Sequence, residues 1–101
     1  MNKREFIAAV AARIGSDKKT AEAAVAAVIN TIQDAVAVDE PVVLTGFGTF
    51  RRGEQSARQG VSSLTGKPYH SPAKFVPKFS AGAEFKELVA AGGGQREHVA
   101  A

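Results

Sequence analysis

Residues 42–52 run Val42-Val43-Leu44-Thr45-Gly46-Phe47-Gly48-Thr49-Phe50-Arg51-Arg52. Val42 to Thr45 is apolar or β-branched, Gly46-Phe47-Gly48 permits a tight reversal, and Thr49 to Arg52 begins a return strand. Two antiparallel strands are therefore expected, with Phe47 and Phe50 directed into a core. Asp39-Glu40-Pro41, just upstream, is turn chemistry and marks where the hydrophobic period changes from helical to extended.

Before that turn the chain reads as two helices. Asn2 and Glu5 have the spacing of a capping box, and Phe6, Ile7, Val10 and Ile14 share one face, which predicts a helix over 3–14 closed by Gly15. Ser16 or Asp17 can cap a second helix, whose Ala21, Val25, Val28, Ile29, Ile32 and Val36 form a stripe ending near Ala37. The short connection makes the two helices neighbours. A leader-like reading of Phe6 to Ala12 is set aside, because Glu5 and Arg13 bracket the run.

After the return strand, residues 53–71 are poor in apolar side chains: Ala57, Val61, Leu64 and Tyr69 interrupt polar ones. Such a stretch cannot be interior, so it is a projecting β-hairpin arm or a long loop. Phe75, Val76 and Phe79 bring the chain back, with Pro72 and Pro77 marking an edge strand. Phe47, Phe50, Phe75 and Phe79 are all assigned to the core. A last helix is expected over 83–90, with Phe85, Leu88 and Val89 on one face, ended by Gly92-Gly93-Gly94. The tail from 91 to 101 is expected to be mobile. The fold class is α+β: two N-terminal helices, a three-stranded antiparallel sheet with a protruding arm, and a short C-terminal helix.

Composition narrows the function. Of 101 residues 45% are apolar, but 19 are alanine, leaving little large apolar surface for a self-sufficient core. The Val/Ile stripe of the second helix and the faces of Phe47, Phe50 and Phe79 lack partners within one chain, so a symmetric dimer is expected, its core built from Val25, Val28, Ile29, Ile32, Val36, Phe47, Phe50 and Phe79. Two arms would then project from one body. No run is long enough for a membrane span. The net charge is +3, unevenly spread: residues 46–86 hold seven basic side chains against Glu54 and Glu84, while residues 1–45 hold five against six acids. A basic central segment suits a polyanion, although charge alone is equally compatible with a solubilising face.

Catalysis has no support. Cysteine is absent, Ser62-Ser63 have no histidine and acid at a catalytic spacing, and His70 and His98 do not make a metal site. Gly46-x-Gly48 lacks the third glycine of a dinucleotide loop, and Thr65-Gly66-Lys67 lacks the earlier glycines of a phosphate loop. No enzyme activity, cofactor, metal or small-molecule substrate is expected.

In order along the chain, Met1-Asn2-Lys3, Gly46-Phe47-Gly48-Thr49-Phe50, Arg58 with Gly60, Thr65-Gly66-Lys67, Val76-Pro77-Lys78-Phe79 and Lys86 resemble the HU family of bacterial nucleoid-associated proteins, which includes integration host factor. The resemblance covers residues 1–90. It implies an intertwined homodimer, residues 1–45 forming a mainly helical dimerisation part and 46–90 a β-saddle, arm and final helix, that holds double-stranded DNA with little sequence preference. The resemblance also implies that the arms enter the minor groove. A nucleoid-associated, cytoplasmic protein is implied. On this resemblance the DNA-binding residues are Lys3, Gly46, Gly48, Arg51, Arg52, Arg58, Val61, Ser63, Lys67, Lys74, Lys78 and Lys86. Tyr69 and His70 either contact sugar and phosphate or support their cross-strand neighbours.

One departure stands out. Where arms of the family carry Arg-Asn-Pro, whose proline wedges between base pairs, this chain has Val61-Ser62-Ser63, and Gln55 and Ala83 occupy positions often basic in relatives. Val61 or Leu64 either replaces the wedge or packs locally, so binding is implied and sharp bending is not. The alternatives are a structural or protein-interaction dimer with weakened DNA binding, and an RNA or structured nucleic-acid binder.

Overall fold

The computed structural model describes residues 1–61 and 64–92, and gives the order α1 (Lys3–Ile14), α2 (Lys18–Ala37), β1 (Val42–Leu44), β2 (Gly48–Gln55), β3 (Arg58–Val61), β4 (Pro68–Ser71), β5 (Lys74–Ala81) and α3 (Ala83–Ala90). Ser62, Ser63, Gly93, Gly94, the tail with His98, and the Tyr69 side chain lie outside the described residues. The chain divides into two compact units, the first ending at Ala35 and the second beginning at Val36.

In the first unit, local hydrogen bonds set the helix ends. Asn2 caps α1: its Oδ1 accepts from the Glu5 N–H at 2.8 Å, while Glu5 Oε1 accepts from the Asn2 N–H at 2.9 Å. Gly15 closes the helix in the left-handed region at φ 68°, where glycine carries no Cβ penalty. Of the two candidate caps for α2, Asp17 takes the role, accepting from the Thr20 N–H at 2.8 Å. Ala11, Ala21 and Val25 are buried here, whereas Phe6, Ile14, Val28 and Ile29 remain more than a third exposed.

The second unit is built on a three-stranded antiparallel sheet in the order β1-β2-β5. The β1–β2 reversal is a four-residue turn: the Phe47 N–H donates to the Leu44 carbonyl at 2.9 Å, and Gly46, at its third position, has φ 88°. Thr45 therefore belongs to the turn and not to the strand. Pro77 lies in β5, an edge strand, where its missing N–H breaks no inner ladder. β3 and β4 form a hairpin ladder, pairing antiparallel from Arg58↔Ser71 to Val61↔Pro68. The arm alternative thus holds over the long loop.

Phe47, Phe50, Phe79 and Phe85 make one aromatic cluster, with ring centroids 4.7 Å apart for Phe50–Phe79 and 5.3 Å for Phe47–Phe79 and Phe47–Phe85. Gly48 is buried beneath it: a Cβ there would meet the Ser80 carbonyl oxygen at 2.5 Å and the Phe79 ring at 2.6 Å. The cluster is only half covered, since Phe47 is 43% and Phe79 42% exposed. Phe75 departs from the expected core. It is 62% exposed, because the ring meets the Arg52 guanidinium instead of the other phenylalanines. Val25 and Val36, assigned to the dimer core, are already buried within the single chain.

The Asp17 cap makes α2 sensitive to acid. The Thr20 hydroxyl first, then its N–H, holds the Asp17 carboxyl below its ordinary value of 3.8. A carboxylate whose folded-state pKa is depressed adds stability that is complete above 3.8 and disappears as the pH falls through the folded-state value. Asp17→Asn, which can still cap, is expected to flatten the melting temperature between pH 5 and pH 2 relative to wild type, roughly the window of carboxylate titration; circular dichroism melts check it.

Candidate nucleic-acid interface

Successive side chains of a strand point to opposite faces, so the register sorts the sheet residues into two sets. Arg51 pairs with Lys78, Gln55 with Lys74, Gly53 with Val76, and Thr49 with both Val43 and Ser80. These residues form one face, with three cations and no acid. The other face carries Val42, Leu44, Phe50, Phe79, Pro77, Arg52, Glu54 and Phe75. The sheet therefore has an apolar side and a basic, polar side.

Arg51, Lys74 and Lys78, grouped by the sequence, are all exposed on the basic side. Arg52 is not with them. Its guanidinium lies 3.9 Å from the Phe75 ring centroid, with Nη2 at 3.6 Å from Asp39 Oδ2 and Nη1 at 3.5 Å from the Ala37 carbonyl oxygen. Adjacent residues of one strand cannot share a face, and the period of two in the sequence already separates Arg51 from Arg52. Asp39 has φ 64°, a left-handed conformation that aspartate tolerates better than most residues.

Gly46 and Gly48 offer no side chain. Gly48 is required by the close Phe79 and Ser80 contacts, and a Cβ on Gly46 would stand 2.9 Å from Glu84 Oε2. In the arm, Arg58, Val61 and Lys67 are exposed; Val61 is 65% and Leu64 94% accessible, and Val61 lies directly opposite Pro68. The turn between the strands has Gly66 at φ 70° and the Lys67 N–H donating to Thr65 Oγ1 at 3.3 Å. A cavity of about 440 Å³ at the arm's base is lined by Glu54, Gln55, Ser56, Arg58, Val76 and Lys78.

A model of the family described as bacterial DNA-binding protein matches residues 1–90. The chain belongs to the HU family of bacterial DNA-binding proteins. It is 43% identical over 90 residues to DNA-binding protein HU of Nostoc sp., covering 89% of this chain and 96% of that one. Identity is 45% over 89 residues with DNA-binding protein HU of Staphylococcus aureus strain COL, covering 88% and 99%. Its fold matches the Anabaena HU–DNA cocrystal structure with a TM-score of 0.83 at 43% identity, over 89% of this chain and 98% of that one. The HU family is one of DNA-binding proteins and not of enzymes.

Two further cations expected from the HU resemblance lie off the sheet. Lys86 is exposed on α3, and Lys3 shares a groove of the first unit with Arg4, Ile7, Lys18, Glu22 and Ala26. Ser63 lies outside the described residues. Among the described residues no group of three or more histidines, aspartates and glutamates is placed to hold a metal, and no helix is long and apolar enough to cross a membrane. Gly53 was not singled out by the sequence reading, although an isolated glycine inside a strand signals a close approach.

The clasp around Arg52 predicts separate roles for the two neighbouring arginines. Arg52→Ala is expected to lower unfolding stability by ~1 kcal/mol, the scale of a cation–π contact with a weak ion pair. Arg51→Ala should change it by less than ~0.5 kcal/mol, as an exposed surface substitution does. Urea unfolding at fixed protein concentration measures both.

Proposed function

We propose that the protein binds double-stranded DNA with little sequence preference, as a homodimeric architectural protein of the nucleoid that wraps, bridges or modestly bends the duplex. The acid-free sheet face with Arg51, Lys74 and Lys78 carries this reading. Lysine and arginine on an open face neutralise phosphates without reading bases, and phosphate contacts fix register while leaving sequence undetermined. Arg58 and Lys67 extend the same charge along the arm, which offers Lys67 and backbone to a minor groove whose edges carry a degenerate code. Lys3 and Lys86 are assigned to flanking phosphates, and Gly46 and Gly48 to shaping the turn. Arg52 is assigned to the clasp and not to the DNA-binding set. This function needs no reaction chemistry or cofactor.

Dimerisation follows from unmet burial. Among the described residues no side chain larger than valine is buried, while Val28, Ile29, Phe47 and Phe79 stand 57%, 38%, 43% and 42% exposed. A second copy covers these residues, with Ile32 and Phe50, in the proposed dimer. Residues 1–90 act as the DNA-binding part and 91–101 as an appended tail. At the arm's far end Val61 and Leu64 stand 65% and 94% exposed, which supports an apolar insertion between base pairs in place of the family proline.

Anisotropy titration of a fluorescent duplex over a salt series, with end-to-end energy transfer read alongside, tests the reading. Affinity is expected to fall steeply with salt and to be similar for unrelated sequences, with duplex RNA a weaker competitor. Arg51→Ala should make the slope of log affinity on log salt shallower by about 0.9 for each phosphate that is no longer neutralised. Absence of binding at low salt from an intact dimer overturns the proposal in favour of a protein-interaction role. The melting temperature is expected to rise with protein concentration, as mass action requires of an obligate dimer; a concentration-independent melt rules the dimer out.

A further inference from the structure

We propose that Gly53 is a positioning residue: by having no side chain it lets Lys78 lie flat across the sheet into the cavity at the arm's base, where Lys78 and Arg58 together hold one phosphodiester of the duplex. The inference rests on the DNA-binding reading above and adds a site and a device to it. Gly53 sits inside β2, two residues from its end, and is not in the left-handed region, so backbone conformation does not require glycine there. A glycine inside a strand weakens it and contributes no packing, which makes its presence informative. A Cβ at this position would come within 2.5 Å of Lys78 Cε, 2.6 Å of Cδ and 2.9 Å of Cγ. The whole lysine stem thus occupies the space a side chain would take.

The register explains why this direction matters. Lys78 is directly opposite Arg51, and like charges facing each other across a ladder repel. Gly53 pairs with Val76, two residues nearer the arm, so a stem lying over Gly53 leans away from Arg51 and toward the arm's base. There Lys78 shares the cavity with Arg58, Gln55 and Ser56, which offer an ammonium, a guanidinium, an amide and a hydroxyl to one anion. Neither Lys78 nor Arg58 has an ion-pair partner among the described residues. The cavity, about 440 Å³ and open to solvent, accommodates a backbone phosphate passing from the sheet face to the arm. Glu54 is the one acid in its lining and opposes the anion.

The variants are compared as full-length dimers in the salt-series titration. Gly53→Ala is expected to reduce the salt slope by about 0.9 per protomer, as Lys78→Ala does, and the double variant should be no shallower than Lys78→Ala alone. The melting temperature of Gly53→Ala should be unchanged or higher, because alanine suits a strand better and the lysine stem can swing aside. Glu54→Gln is expected to tighten binding. A wild-type slope for either Gly53→Ala or Lys78→Ala overturns the inference, as does a Gly53→Ala protein whose melting temperature falls. Failure of the wild-type protein to bind any duplex is a different result and strikes the DNA-binding reading itself.

Discussion

The structure depends on an aromatic cluster that one chain cannot finish covering. Phe47, Phe50, Phe79 and Phe85 meet ring to ring, yet two of the four remain more than two-fifths exposed, and burial among the described residues stops at valine. Apolar surface left in water costs roughly 25 cal/mol per Å², so several half-covered phenylalanines represent a driving force that no surface ion pair matches. Alanine-rich helices explain the shortage: 19 of 101 residues are alanine, the buried residues of α1 and α2 are Ala11, Ala21, Val25 and Val36, and Phe6, Ile14, Val28 and Ile29 stay more than a third exposed. The proposed dimer is the consequence of that composition.

The same sheet must also present a wet surface, and the period of two achieves both. Phe50 and Phe79 pair on one face while Arg51 and Lys78, their neighbours in β2 and β5, pair on the other. A single-residue slip would exchange them, burying cations and exposing rings. The close contacts of Gly48 with Phe79 and Ser80 hold that register, since no other residue fits there. Core formation and the basic face are thus one decision made by one ladder.

Much of this is legible in the sequence, where local chemistry decides. The capping box at Asn2, the Gly15 stop, the Gly46 turn and the helix over 83–90 are signalled by side chains within a few residues of the feature they create. The residues whose surroundings differ from expectation are those whose partners lie far along the chain. Arg52 reads as one more cation until Phe75 and Asp39 are seen around it, and Phe75 reads as core until its ring is found capped by that arginine. A glycine within a strand at position 53 signals a close approach, but what approaches is the stem of Lys78 on another strand, which local sequence does not name. The candidate cations were recoverable by type and the period of two separates Arg51 from Arg52, but which of the two shares a face with Lys74 and Lys78 required the register.

The arm carries the remaining tension. A proline at its tip would be rigid before binding, whereas Val61 and Leu64 keep rotatable side chains that must be fixed on insertion, at an entropic cost of order 0.5–1 kcal/mol for a leucine. In the proposed complex an insertion by such residues is therefore weaker than one by a preformed wedge, and a larger share of the binding free energy would fall to phosphate neutralisation. That shift has a physical corollary. Counterion release depends on the number of phosphates contacted and hardly on duplex stiffness, so a protein that relies on it accommodates straight and curved DNA more evenly than one that must unstack a base step. In the proposed complex the basic face of β2 and β5 thus supplies affinity without selecting a position on the duplex, since phosphate contacts carry no sequence information.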